Sequence, residues 1–383
     1  MNKYIEKMIE HLADKRDIHK TAIKRQSELW SNYRTDTPPI LLHTQEPEDF
    51  KDFPKAFDYE EIQFDNEKML YNGLKSAITT AGDSVPSIRA NKGCGIYPSL
   101  LSVNSTYFKD KMPWVLRHLS KKQLSVIEPD QIQPSDEFKR GLETMVYMAD
   151  ALKGTDCKLY PLDLQGPIDT AHIVYGDDFF YDLYDDPAFI HHLLNLSTQA
   201  IIKGCEQVVS LLESTGNTRS GNFQFIAHYN NLIMPLEKGG IKFSEDTTTL
   251  LNPDQIDEYA IPYLQQLLNR FNGGYVHYCG KNNHLYRRIM ETDNVYGINF
   301  GNPEMHDMKA VLTDCAVCDK IYYGNLNQAF SYDDIYDYFY KCLKYSKNGP
   351  ISHILLVHSC QLNELESISV AWKTAADNVA RCE

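Results

Sequence analysis

Residues 252–280 read NPDQIDEYAIPYLQQLLNRFNGGYVHYCG. Asn252 precedes Pro253 and Gln255 stands three places on, a capping box with proline at the first helical position. Apolar residues then recur at helical spacing: Ile256, Ala260, Leu264, Leu267, Leu268 and Phe271. The run Gly273-Gly274-Tyr275-Val276-His277-Tyr278-Cys279-Gly280 follows as a strand. A capped helix leading directly into a strand is the unit of a parallel α/β fold.

The same alternation extends in both directions. Strand-like runs are expected at 40–43, 85–91, 158–165, 240–246, 273–279, 295–300, 320–325 and 353–358. A further run at 223–229 competes for strand status. Between them Asp186-Pro187 marks a helix start, with Gly204 as the expected terminator. Residues 1–35 read as helix, with spaced apolar positions (Tyr4, Ile5, Met8, Ile9, Leu12), until Pro38-Pro39 ends the pattern. Eight strands separated by helices predict a (β/α)8 TIM barrel, residues 38–383, carrying an N-terminal helical extension, residues 1–37. A doubly wound open sheet shares this pattern. However, no Gly-x-Gly-x-x-Gly follows a strand and no phosphate-loop motif is present.

Composition narrows the function classes. A net charge of −14 argues against a nucleic-acid or anionic-membrane surface. Charged residues interrupt the apolar positions of the N-terminal segment, so no secretory signal is read there. No run approaches the roughly 18 apolar residues of a membrane span. The nine cysteines form no recognisable disulfide framework. The expectation is a cytoplasmic enzyme with reduced thiols.

The chemistry concentrates at the strand ends. His277 and Cys279 alternate onto one strand face, about 7 Å apart by the rise per residue. They sit at the C-terminal end of their strand, which forms the active-site mouth of a barrel. A third soft ligand, Cys360, follows the last strand, and imidazole with sulfur favours zinc over magnesium or calcium. Gln165, Asp246 and Asn299 are expected at the same mouth. Gln165 and Asn299 are read there as substrate-binding and Asp246 as catalytic, with Asp246 and Glu304 as acidic candidates for the fourth metal position. The pair Cys315/Cys318 precedes a strand, on the far face, and reads as structural. His191-His192 reads as surface. Residues 332–338 read as a polar helix start, without the glycine and glutamate of a calcium loop.

Leu164-Gln165-Gly166-Pro167-Ile168-Asp169-Thr170-Ala171 resembles the uroporphyrinogen decarboxylase superfamily. Gly176-Asp177-Asp178, Leu183-Tyr184-Asp185-Asp186-Pro187, Asp246, Leu251-Asn252-Pro253 with Pro262-Tyr263, Gly297-Ile298-Asn299-Phe300 and Tyr323-Gly324-Asn325-Leu326 continue the series in order. The resemblance spans about residues 84–380. The decarboxylase branch fits poorly, because Arg25-Gln26-Ser27-Glu28-Leu29-Trp30 lacks the second arginine of that branch's substrate-binding segment. The branch of zinc-dependent methyltransferases that methylate thiols, such as those acting on coenzyme M, fits better. Its His-x-Cys…Cys motif maps onto His277, Cys279 and Cys360, with His358 as the alternative third ligand. The resemblance implies methyl transfer between a corrinoid, carried on a separate protein, and a small-molecule thiol or other methyl donor or acceptor. A cofactor-independent decarboxylase and a non-catalytic binding barrel are the competing readings.

Overall fold

The computed structural model describes residues 1–32, 37–216, 223–224, 234–235 and 241–381. Eight parallel strand segments carry the architecture: β1 (Ile40–His43), β2 (Ser87–Ile88), β3 (Lys158–Leu159), β4 (Ile241–Ser244), β5 (Gly274–Tyr278), β6 (Val295–Phe300), β7 (Ile321–Gly324) and β8 (Ile354–Ser359). Six of them, with Thr80–Gly82, form a seven-stranded sheet in the order Thr80–Gly82, β1, β8, β7, β6, β5, β4. All neighbours are parallel except Thr80–Gly82, which runs antiparallel to β1. The β2–β3 pair stands apart and reaches the main sheet through a parallel bridge from Gln165 to Ser244. The mainly parallel sheet is barrel-like, and helices cover its outer face.

The ladder between β3 and Gln165 breaks where the sequence predicts continuous strand over 158–165. Pro161 lies in this run and has no N–H to donate. Between β1 and β2 the contacts come from a turn: Asp83 Oδ2 accepts from the Ile40 amide at 2.9 Å, and Ser84 Oγ donates to the Leu42 carbonyl at 3.0 Å. Of the competing run 223–229, residues 223–224 form a short strand and the rest lies outside the described residues.

Two helix expectations need correction. Gly204 does not end its helix, which runs from Pro187 to Thr215 and stops at Gly216, φ 67°. A Cβ on Gly204 would lie 2.7 Å from the Tyr97 ring, so this glycine serves close helix packing. The N-terminal helix is two helices, α1 (Asn2–Asp14) and α2 (Arg16–Asn32), parted at Lys15. The capping box at Asn252 forms as read, with Gln255 N–H donating to Asn252 Oδ1 at 3.0 Å and Asn252 N–H donating to Gln255 Oε1 at 3.1 Å. Beyond it, Ile256–Ala260 is a π-turn that leads into α3 (Ile261–Arg270). Pro262 supplies no amide hydrogen to this helix, and a widened turn accommodates such a gap.

The inside of the barrel-like sheet is divided by height. Near the strand starts, Leu41, Tyr275, Ile321 and Leu355 form an apolar layer with Leu29 and Trp30 of α2. Trp30 is only 1% exposed, so α2 plugs this end. Near the ends of β4, β5 and β6 the inward side chains are polar: Ser244, His277 and Asn299. Trp30→Ala is expected to destabilise the fold by about 3–5 kcal/mol, the usual range for emptying a buried large aromatic site. Equilibrium denaturant unfolding measures this, and a change under about 1 kcal/mol would show that α2 is not an integral plug.

Candidate metal centre

Parallel register builds the site. Ser244 on β4, His277 on β5 and Asn299 on β6 are direct neighbours across three strands. Two residues further along, Asp246 and Cys279 leave the strand ends beside each other, and Asp246 Oδ1 accepts the Cys279 N–H at 2.6 Å. Asp246, His277 and Cys279 each offer a ligand atom, all within 4.8 Å of one another. Cys279 Sγ is 3.6 Å from His277 Nε2, and Asp246 Oδ1 is 3.9 Å from it. Tetrahedral zinc with ordinary bond lengths separates such donors by about 3.4–3.6 Å, which the Cys279–His277 pair meets and to which the Asp246 carboxylate would close in. His277 is buried and Cys279 exposed, so the group opens to solvent on the sulfur side.

The hydrogen bonds behind His277 fix which of its nitrogens faces the site. Asn299 Nδ2 donates to the Tyr323 carbonyl, which orients the amide and turns Oδ1 toward His277. Asn299 Oδ1 can only accept, so His277 Nδ1 carries the proton and Nε2 presents its lone pair. This is the second-layer arrangement that metal-binding histidines use. The close fit depends on two glycines. A Cβ on Gly324 would sit 2.8 Å from Asn299 Nδ2, and one on Gly301 would sit 2.4 Å from Cys279 Sγ.

Beneath Asp246 lies a buried acidic pair. Asp169 accepts the backbone N–H groups of Asp246 at 2.9 Å and Thr247 at 2.6 Å. Burial, reinforced by the Asp246 carboxylate, pushes Asp169 up to about 7. Glu245 is raised well above the carboxylate range by burial and by Asp169, and it accepts from Thr248 Oγ1. Burial and the nearby Asp246 carboxylate also raise the Cys279 thiol, to about 11. Without a cation this sulfur is therefore a thiol at neutral pH.

The sequence-expected residues divide into three groups. His277, Cys279 and Asp246 come together, with Asp246 in the place expected for a third sulfur. Asn299 backs His277, and Gln165 lies beside Ser244 with its Nε2 donating to Asp163 Oδ1 at 3.2 Å. Cys360 is a correction: the structure does not bring it into the metal group. On β8 the inward positions are Leu355 and Val357, so His358 and Cys360 share the outward register with Ile354 and Leu356. Cys360 packs in the helix-covered core, and the His358 ring lies 5.4 Å from Phe339 of the covering helix Ile335–Tyr345. Glu304 is also outside the metal group. It is exposed, accepts from Asn302 Nδ2 at 3.2 Å, and lines a cavity next to the site.

Sequence reading missed the polar shaft below the site. Lys242 faces inward beside Ser244, and its Nζ donates to Ser244 Oγ at 3.1 Å. Burial lowers it to about 7. Beside it, Arg89 pairs with Asp163 at 3.3 Å. Polar residues at alternate positions of an otherwise apolar strand, Lys242 and Ser244 against Ile241 and Phe243, were the available signal.

Asn299→Leu removes the acceptor for His277 Nδ1–H and, if the group holds a metal ion, is expected to weaken its binding about 10–100-fold, the usual effect of losing such a support. Asn299→Asp keeps an acceptor and is expected to stay closer to the parent. Chelator competition measures both, and equal affinity in all three proteins would show that Asn299 does not orient the imidazole.

No family model matches the chain, and no curated protein matches it. Among solved structures it is similar to a methyltransferase from Methanosarcina mazei, with TM-score 0.57 and 15% identity, over 90% of this chain and 94% of that one. A B12-independent methionine synthase from Shewanella sp. W3-18-1, in complex with selenomethionine, aligns at TM-score 0.34 and 13% identity over 62% of this chain and 66% of that one. The first likeness shows a shared fold across nearly the whole length of both chains. Among the described residues no helix is long and apolar enough to cross a membrane.

Proposed function

We propose that the chain is a zinc-dependent methyltransferase that moves a methyl group between a corrinoid, carried on a separate protein, and a small thiol or other methyl donor or acceptor. The observation that carries this reading is the convergence of Asp246, His277 and Cys279, with the His277 lone pair already turned inward by Asn299. A soft sulfur, an imidazole and one carboxylate leave a fourth position free, the pattern of a catalytic rather than a structural zinc. The fold shared with the Methanosarcina mazei methyltransferase is consistent with it. We also propose that the strand ring closes as a (β/α)8 barrel, with residues 1–37 as its N-terminal addition, and that the protein works in the cytoplasm.

Zinc in this position supplies the Lewis acidity that holds a substrate thiol deprotonated at neutral pH. The chain's own residues do the positioning. His277 and Cys279 would hold the ion at the rim; Asn299 fixes the imidazole, and Asp246 ties the Cys279 backbone and would offer its carboxylate. Asp169 in turn fixes the loop that presents Asp246. In the methylating direction a corrinoid would supply the methyl group, and Asp246, His277 and Cys279 would hold the acceptor sulfur where it can receive it. The corrinoid carries the difficult bond chemistry, and the protein orients the acceptor.

The full chain is expected to bind one equivalent of zinc, measured by metal analysis after dialysis. His277→Ala, Cys279→Ser and Asp246→Ala should each lower that affinity at least about tenfold, while Cys360→Ala should change it little. With methylcobalamin and 2-mercaptoethanol, zinc-dependent loss of the cobalt–methyl absorbance is expected, and it should disappear in Cys279→Ser. Absence of stoichiometric zinc, or a fully active Cys279→Ser, would overturn the reading.

A further inference from the structure

A cavity of about 500 Å³ opens beside the metal group. Its walls come from the ends of β6 and β7, together with His43 of β1 and Val357 of β8. Asn299 and Gly301 belong both to this wall and to the metal site: Asn299 holds His277, and Gly301 presents bare backbone to Cys279 Sγ. The cavity therefore lies where an organic substrate would reach the metal.

The chemistry of the lining is specific. Asn325, Asn327 and Gln328 bring three amides, and Glu304 brings a carboxylate. Tyr323 and Val357 add apolar surface. His43 is held below its ordinary pKa by burial, which favours a neutral imidazole. Among the described lining residues there is no lysine or arginine. Recognition of a carboxylate, sulfonate or phosphate calls for a cationic fork or ammonium. Here an anionic tail would instead meet Glu304, with the Asp246 carboxylate nearby at the same rim. Amides bind hydroxyl, amide or amine groups, and the glutamate favours positive charge.

We propose that this cavity binds the tail of the methyl-accepting or methyl-donating molecule, and that the molecule is a small thiol or thioether whose tail is neutral or cationic, never anionic. This inference rests on the zinc reading of the neighbouring site. The lining amides bind the tail, while Glu304 excludes anionic relatives by repulsion. Selectivity of this kind combines attraction for one ligand with a penalty against its competitor.

The test uses the zinc-loaded full chain and three thiols of similar size, 2-mercaptoethanol, cysteamine and mercaptoacetate, with Kd read by calorimetry. Mercaptoacetate is expected to bind about tenfold weaker than the other two, the size of a like-charge contact across a partly solvated cavity. Glu304→Lys, at an exposed position, should invert the order and make mercaptoacetate the tightest of the three. If zinc is bound but mercaptoacetate equals or beats the others in the parent, this inference falls and the zinc site stands. It also falls if Glu304→Lys leaves the order unchanged. If no zinc is taken up, both fall together.

Discussion

Ser244, His277 and Asn299 stand side by side because β4, β5 and β6 are parallel and in register. That alignment constrains the rest of the rim. It points His277 inward between its neighbours and puts the Asn299 amide within reach of its Nδ1. It also releases Asp246 and Cys279 into adjacent loops at the same height. A shift of one residue in any of these strands would turn its site residue outward, because side chains alternate with period two. The loops then need few interactions of their own, and the Cys279 N–H to Asp246 bond supplies one of them.

Electrostatics inside the barrel-like sheet follows from the cost of burying charge. An isolated ion in so dry a place is unfavourable by several kcal/mol, so groups pair or neutralise. Arg89 and Asp163 pair. Lys242 is lowered and Asp169 raised until both titrate near neutrality, and Glu245 rises further. Asp169 still earns its place, because its two oxygens satisfy two backbone amides at the start of the Asp246 loop. These groups form a polar floor beneath the metal group rather than an apolar plug. The apolar plug lies lower, where Trp30 and Leu29 enter from α2. The division matches the general logic of such folds, with stability at the strand starts and chemistry at the strand ends.

Close approach decides the finer geometry. Gly301 and Gly324 stand where a side chain would strike Cys279 Sγ or Asn299 Nδ2. Removing a Cβ at these two points lets the sulfur and the amide settle against backbone, and the same removal contributes to the opening of the neighbouring cavity. The amide-rich lining and Glu304 then set its character, which differs in sign from a site made for anions.

Local elements that depend on nearby residues were legible before any fold was known. The capping box at Asn252, the helical run it opens and the nearness of His277 to Cys279 follow from short-range spacing and appear in the structure; each of the eight runs contains a strand, but those at 85–91 and 158–165 keep only Ser87–Ile88 and Lys158–Leu159. Tertiary structure decided what spacing leaves open. Gly204 looks like a helix terminator until the Tyr97 ring is seen against it. Cys360 looks like a third ligand because it is soft and follows the last strand. Its side depends on which residues of β8 face inward, and only packing against Leu41, Tyr275 and Trp30 settles that Leu355 and Val357 do. Alternation gives two faces but does not say which one is the inside. Asp246 comes beside His277 and Cys279 because register between separate strands, a long-range property with no local signature, brings β4 beside β5.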